Sequence, residues 1–171
     1  MSKTQPDYGT TRVATKPYQG LLIDSEFSEM NYYDSDQKTI YEGINGENCC
    51  ILTTDHFTGI KNGDARISKA SPNDCIRNVL HHDSPTYNNK YIHLYKGGEL
   101  LNNKYVNNLL QPFGYTLNPT VADTNHKNGP VEQAHRKLAD SIKSMLTRSN
   151  LYIIFYPYEL YHDVQLSNSF P

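Results

Sequence analysis

Apolar positions come in short blocks between polar stretches, and their spacing changes character along the chain. Leu21-Leu22-Ile23 runs directly into Asp24. An apolar run closed by an acid predicts a buried strand within Pro17 to Phe27 whose last residue reaches an open edge. Ser28 to Glu47 is rich in Tyr, Asp, Asn and Gly and reads as a hairpin loop or insertion. Cys49 to Thr54 predicts a second buried strand, and Gly59 to Ile67 a third with Asn62-Gly63 as a turn. Ser71 is a candidate cap and Pro72 a candidate first-turn residue for a helix whose stripe is Ile76, Val79 and Leu80. Lys90 to Tyr95 reads as a fourth strand ended by Gly97-Gly98, Asn103 to Leu110 as a short helix, and Tyr115-Thr116-Leu117 as a fifth strand. Pro119 to Gly129 is a loop. From Pro130 the period turns helical: Val131, Ala134, Leu138, Ile142 and Met145 share one face, with Glu132, Arg136, Asp140 and Lys143 on the polar side. Leu151 to Tyr156 is β-like by propensity but precedes Pro157, and periodicity leaves it open. Strands first, then strands alternating with helices, then helices, indicate an α/β or α+β layer with a mixed sheet.

Composition narrows the picture. The 171 residues suffice for one domain with a sizeable core, although only 37% are hydrophobic. Fourteen Tyr and no Trp leave much of the aromatic packing to tyrosine. A formal net charge of -2 excludes a global basic field, so any DNA contact must come from a local patch. Three cysteines, Cys49, Cys50 and Cys75, make no disulfide framework. Cys49 and Cys50 are adjacent, point to opposite faces of a strand, and read as core thiols. No apolar run approaches the ~20 residues of a membrane span. Residues 1–16 lack a signal-peptide core and read as a flexible polar arm, leaving 17–171 as the folded unit.

Two carboxylates are candidates for chemistry. Asp24 lies on the first strand, and Glu132 lies just inside a helix start behind Asn128-Gly129-Pro130. Paired divalent cations ~4 Å apart repel, and hard anionic oxygens from separate elements must offset that charge. By spacing alone the pair is a weak signal and the structural reading stands ahead, because strand-end Asp is common and a first-turn Glu favours the helix dipole.

The surrounding motifs add more. Asn128-Gly129-Pro130-Val131-Glu132, preceded by His126-Lys127 and followed by Gln133-Ala134-His135-Arg136, resembles the integrase core of copia-type long-terminal-repeat retrotransposons. Pro17 to Asp24 looks like the strand carrying that family's first catalytic Asp. Thr53-Thr54-Asp55-His56-Phe57-Thr58-Gly59 looks like its second strand. Gly97-Gly98-Glu99-Leu100 looks like the end of its Asp-Asn-Gly-Gly-Glu motif, and Phe155-Tyr156-Pro157-Tyr158 like its Phe-Trp-Pro helix. The resemblance spans nearly the whole chain. It implies a ribonuclease-H-like fold, a mixed five-stranded sheet flanked by helices, with the last segment helical to near Ser167-Asn168. It also implies an Asp, Asp, Glu triad on two Mg²⁺ or Mn²⁺ ions that trims DNA ends and joins them to target DNA. The partners it implies are element-end and target DNA and further copies of the chain, with no membrane and with the nucleus as the place of action.

In that alignment Asp24 is the first Asp and Glu132 the Glu, both metal ligands, and Tyr95 stands where the second Asp belongs. Residues 96 to 131 separate Tyr95 from Glu132, 36 positions against the family's roughly 35. A phenol with a reference pKa near ~10 is neutral at pH 7 and cannot bridge two cations. Lys96 adds positive charge beside it. Glu99 lies past two glycines on the turn and is poorly placed to substitute. Gln133 also replaces the family's Arg, and Tyr156 its Trp. The implied domain is catalytically impaired. The alternatives are a non-catalytic nucleic-acid-binding or protein-interaction module, or a non-functional transposon relic. The absence of a His/Cys zinc module before Cys49, and of a DNA-binding region after the core, fits a fragment or relic. His126, Lys127, Asn128, Arg136 and Lys137 are the candidate nucleic-acid contacts, and Lys143 and Arg148 could extend that strip. Asp55 reads as a turn or capping group outside the triad.

Overall fold

The computed structural model of the protein describes residues 14–27, 42–68, 73–83, 88–94, 108–119 and 129–169. Side chains are described for these except 25–27, 73–75, 82–83, 94, 118–119 and 129–133. Five strands, β1 (Gly20–Phe27), β2 (Cys49–Asp55), β3 (Lys61–Arg66), β4 (Lys90–Leu94) and β5 (Tyr115–Pro119), form one sheet in the order β3-β2-β1-β4-β5. β1, β2 and β3 are an antiparallel meander, while β1, β4 and β5 run parallel. The helices are α1 (Asn73–Asp83), α2 (Gly129–Arg148) and α3 (Tyr156–Ser169).

Period-two alternation sorts β1 onto two faces. Leu21 and Ile23 join Ile51, Ile92 and Tyr115 and are covered by Ile76, Val79 and Leu80 of α1. On the opposite face Leu52 meets Leu138, Ile142 and Leu146 of α2 and Tyr156, Leu160 and Val164 of α3. Burying each Leu or Ile contributes about 1.5–3 kcal/mol, so both faces hold helices and the sheet is the middle of three layers. The mixed five-stranded sheet with flanking helices is the architecture implied above.

Several local expectations change. Asn62-Gly63 is not a turn but lies inside β3. A Cβ at Gly63 would stand 3.0 Å from Val164 Cγ2 and 3.1 Å from Leu160 Cδ1, so the glycine lets α3 pack closely on the strand. The stripe of α2 is completed by buried Leu146, with Met145 half-buried beside it. Asn150 ends α2 in the left-handed region at φ 54°, and Leu151 N–H donates to Leu146 O at 2.9 Å, a Schellman closure. Leu151 to Tyr156 forms no strand: a 3₁₀ turn, Ile153–Phe155, leads into α3, with Tyr156 and Pro157 buried. Cys49 is buried, and Cys50 is half-buried on the α2 side, as adjacent strand residues require. Within the predicted insertion, Ile44-Asn45-Gly46 form a turn closed by Gly46 N–H donating to Gly43 O at 2.9 Å, and residues 28–41 lie outside the described residues. Of the predicted helix from Asn103, residues 108–110 are helical and the rest lie outside the described residues.

α3 also finishes the sheet edge. The Asn168 side chain accepts from Lys61 N–H at 2.9 Å and donates to Lys61 O at 2.7 Å, satisfying both main-chain groups on the outer side of β3.

Candidate functional site

Asp24 is not the last residue of its strand. β1 continues to Phe27, paired with β2 through Asp24↔Leu52 to Phe27↔Cys49. On its other side the last described rung with β4 is Ile23↔Leu94. Asp24 is the next residue after that rung, toward the carboxyl ends of β1 and β4, the edge at which open α/β sheets bind ligands.

Because it alternates with Ile23, Asp24 faces α2 on the side of Leu52, and it is 8% exposed. His135 of α2 meets it there, with Nε2 3.5 Å from Asp24 Oδ2. His135 is 4% exposed. It lies three and seven residues before Leu138 and Ile142, so the apolar stripe that buries α2 also carries the imidazole inward. Glu132 is one turn earlier on the same helix face, and its side chain is not among those described. Thus the fold brings Asp24 together with the turn of α2 that carries Glu132. Tyr95 is joined to Leu94, which is level with Ile23. Tyr95, His126, Lys127 and Asn128 lie outside the described residues. Arg136 and Lys137 are exposed on α2.

The sequence reading did not single out His135. The signal was present: it is three residues from Glu132 and in phase with Leu138, so it is a histidine on a buried stripe near a carboxylate. Among the described residues no group of three or more His, Cys, Asp or Glu side chains stands together. Also among them, no helix is long and apolar enough to cross a membrane.

At the other end of β1 the polar groups have local partners. Asp55 accepts from Thr58 N–H at 3.0 Å and from the Thr58 hydroxyl, and also from Tyr18 N–H at 2.9 Å. It is the turn-organising residue expected from the sequence. Tyr18 is left-handed at φ 56° and is held on its other side by Tyr115 O–H donating to Tyr18 O at 2.6 Å. Lys90 is buried with Nζ 4.8 Å from the Tyr115 ring centre, and burial holds its ammonium below the usual lysine pKa.

No protein-family model matches the chain, and no curated protein matches it. Among solved structures it is similar to a chain in the cryo-electron microscopy structure of a simian T-cell lymphotropic virus intasome in complex with PP2A regulatory subunit B56 gamma, with a TM-score of 0.60 and 12% identity. The match covers 87% of this chain and 49% of that one, so the protein spans about half of its length. At this identity the likeness concerns the fold, and with the strand order it makes the fold ribonuclease-H-like.

Proposed function

We propose that the protein is an integrase catalytic-core-like domain of retrotransposon descent, organised around Asp24 and Glu132 and impaired in two-metal chemistry by Tyr95. The observation that carries the reading is the register of the central parallel pair. Leu94 pairs with Ile23, so Tyr95 and Asp24 are the residues that follow matched rungs. α2 crosses the same place, bringing His135 to Asp24 and the turn of Glu132 above it. Carboxylates at positions 24, 95 and 132 would converge on one cation cluster, and this chain has a phenol at the middle position.

The donors suit a divalent cation: Asp24 offers a buried carboxylate oxygen on the face that α2 covers. Asp24 and Glu132 would hold Mg²⁺ or Mn²⁺, and the ion would supply Lewis-acid activation of water or a hydroxyl attacking phosphate. Without a second carboxylate, two closely spaced ions lack the charge that offsets their repulsion, and rates fall by orders of magnitude. DNA is the proposed partner. Exposed Arg136 and Lys137 flank the site on α2, and His126, Lys127 and Asn128 precede that helix in the chain. Self-association is part of the same reading.

The second reading, a nucleic-acid-binding module without turnover, is favoured by Tyr95 itself. A comparison of the unaltered chain with Tyr95→Asp on duplex oligonucleotides in Mg²⁺ separates them. The impaired-enzyme reading expects no measurable nicking or joining by the unaltered chain and metal-dependent turnover by the variant. Equal turnover by both removes the role assigned to position 95. Salt-dependent binding with no turnover in either selects the binding module.

A further inference from the structure

We propose that a second copy of this chain docks with the basic outer arc of its α2 on a face of tyrosines and carboxylates built by α3 and residues 42–48. This rests on, and gives a surface to, the self-association included in the reading above. It involves neither position 95 nor a metal.

The receiving face gathers exposed apolar side chains. Ile44, Tyr152, Ile154, Tyr158 and Tyr161 are between 39% and 79% exposed. They are neighbours. Ile44 N–H donates to Ile154 O at 2.9 Å, the Phe155 and Tyr158 ring centres are 6.3 Å apart, and Tyr158 and Tyr161 are one helical turn apart. A tyrosine this exposed presents roughly 100 Å² or more. The set therefore offers on the order of 500 Å², near the upper end of what a monomer leaves uncovered. Acids rim it. A Cβ at Gly43 would stand 2.5 Å from Glu47 Oε2 and 2.6 Å from Pro157 Cγ, so the turn that carries Glu42 and Glu47 lies directly on the start of α3. The Tyr161 hydroxyl donates to Asp64 at 3.2 Å. Burial, together with the carboxylates of Asp64 and Glu47, pushes the Tyr161 phenol above its usual pKa, which places both acids beside that ring. Arg66, 3.8 Å from Asp64, offsets one of the three charges.

The docking arc is of the opposite kind. Arg136, Lys137, Lys143 and Arg148 are exposed on α2. At 3.6 residues per turn they fall within an arc of about 140°. Asp140 is the one acid in it among the described side chains. α2 and α3 bury their apolar stripes on the same sheet face, and the Ser141 hydroxyl donates to Asp163 between them. Both outer faces therefore point away from the sheet and cannot meet within one molecule. Between copies they fit. Arg and Lys heads gain from tyrosine rings and reach the rim carboxylates, while their stems cover apolar surface. Pairing either face with its own kind sets like charges together. The apolar area falls short of the roughly 800 Å² per partner of a standard interface, so charge must supply the rest and the contact is weak and salt-sensitive.

The test is sedimentation of the whole chain, from about 50 to about 500 mM NaCl. The unaltered protein should associate with rising concentration at low salt and revert to monomer at high salt. Two charge reversals follow, Arg136→Glu/Lys137→Glu/Arg148→Glu on the arc and Glu42→Lys/Glu47→Lys on the rim. Each alone should weaken association at least about 10-fold. An equal mixture of the two should restore it, because every arc then meets a rim of opposite sign. Association that survives both reversals, or a mixture that stays monomeric, overturns the proposal and leaves self-association by another surface. A monomer under all conditions removes both. Should a variant not fold, carbodiimide cross-linking of mixed ¹⁴N and ¹⁵N copies of the unaltered chain decides. A link from Lys137 to Glu42 or Glu47 between copies supports the proposal, and its absence overturns it.

Discussion

Asp55 and Asp24 are both buried carboxylates at the β1–β2 ladder, Asp55 opposite Leu21 and Asp24 opposite Leu52. Their surroundings differ. Asp55 is held by the turn that follows it and by the backbone of Tyr18, so its donors are main-chain N–H groups and a nearby hydroxyl. Asp24 faces an imidazole delivered by a helix from another layer, at a distance too long for a tight hydrogen bond. A carboxylate surrounded by local donors finishes a turn. Asp24 instead meets a titratable side chain from a remote element, just past the last described rung of β1 with β4. The two buried acids of this ladder thus differ in how far along the chain their contacts come from.

Four substitutions sharpen that contrast. The largest effect is expected at the closed end. A Cβ at Gly20 would stand 2.4 Å from Tyr91 Cζ, and that ring is 1% exposed and held by His56 Nδ1 at 2.8 Å from its hydroxyl. Gly20→Ala should cost about 3 kcal/mol in urea denaturation. Asp55→Ala comes next, at about 2 kcal/mol, because Tyr18 and Thr58 lose their acceptor and the left-handed backbone of Tyr18 loses a restraint.

At the other end, Asp24→Asn should change stability by less than about 1 kcal/mol in the same denaturation if the carboxylate serves a ligand, as proposed above, rather than the fold. A loss comparable to that of Asp55→Ala would make Asp24 another structural acid. The smallest effect concerns Lys90. Burial lowers its folded pKa below the unfolded value, so the native state releases this proton first as pH rises. Its contribution to stability is least favourable below the folded pKa and grows as pH climbs toward the ordinary lysine value of 10.5. Lys90→Met should remove that rise when thermal melts of the two proteins are compared across the alkaline range.

The sequence made one end of this contrast more readable than the other. Asp55 and Thr58 are three residues apart, so a local turn motif identifies them. The two helical stripes were also legible, because Ile76, Val79 and Leu80, and Leu138 with Ile142, keep a period that any buried helix must keep. Gly63 was misread because Asn-Gly usually signals a hairpin, and the demand for glycine came instead from Leu160 and Val164 far along the chain. Leu151 to Tyr156 carried strand propensity that packing of Tyr156 overrode. The pairing of Asp24 with His135 depends on which helix crosses which strand, and periodicity within either segment does not encode that. The family motifs pointed to Asp24 and Glu132 but not to the imidazole between their elements.

The clasp of Asn168 on Lys61 bears on how copies of this chain can meet. β3 is an outer strand, and a bare outer strand is a template onto which a foreign strand can be added. The carboxamide mimics a neighbouring backbone at that rung, so β-zipper growth from this border is blocked at Lys61. A strand added along β3 would have to start past that rung, or wait for the end of α3 to peel away.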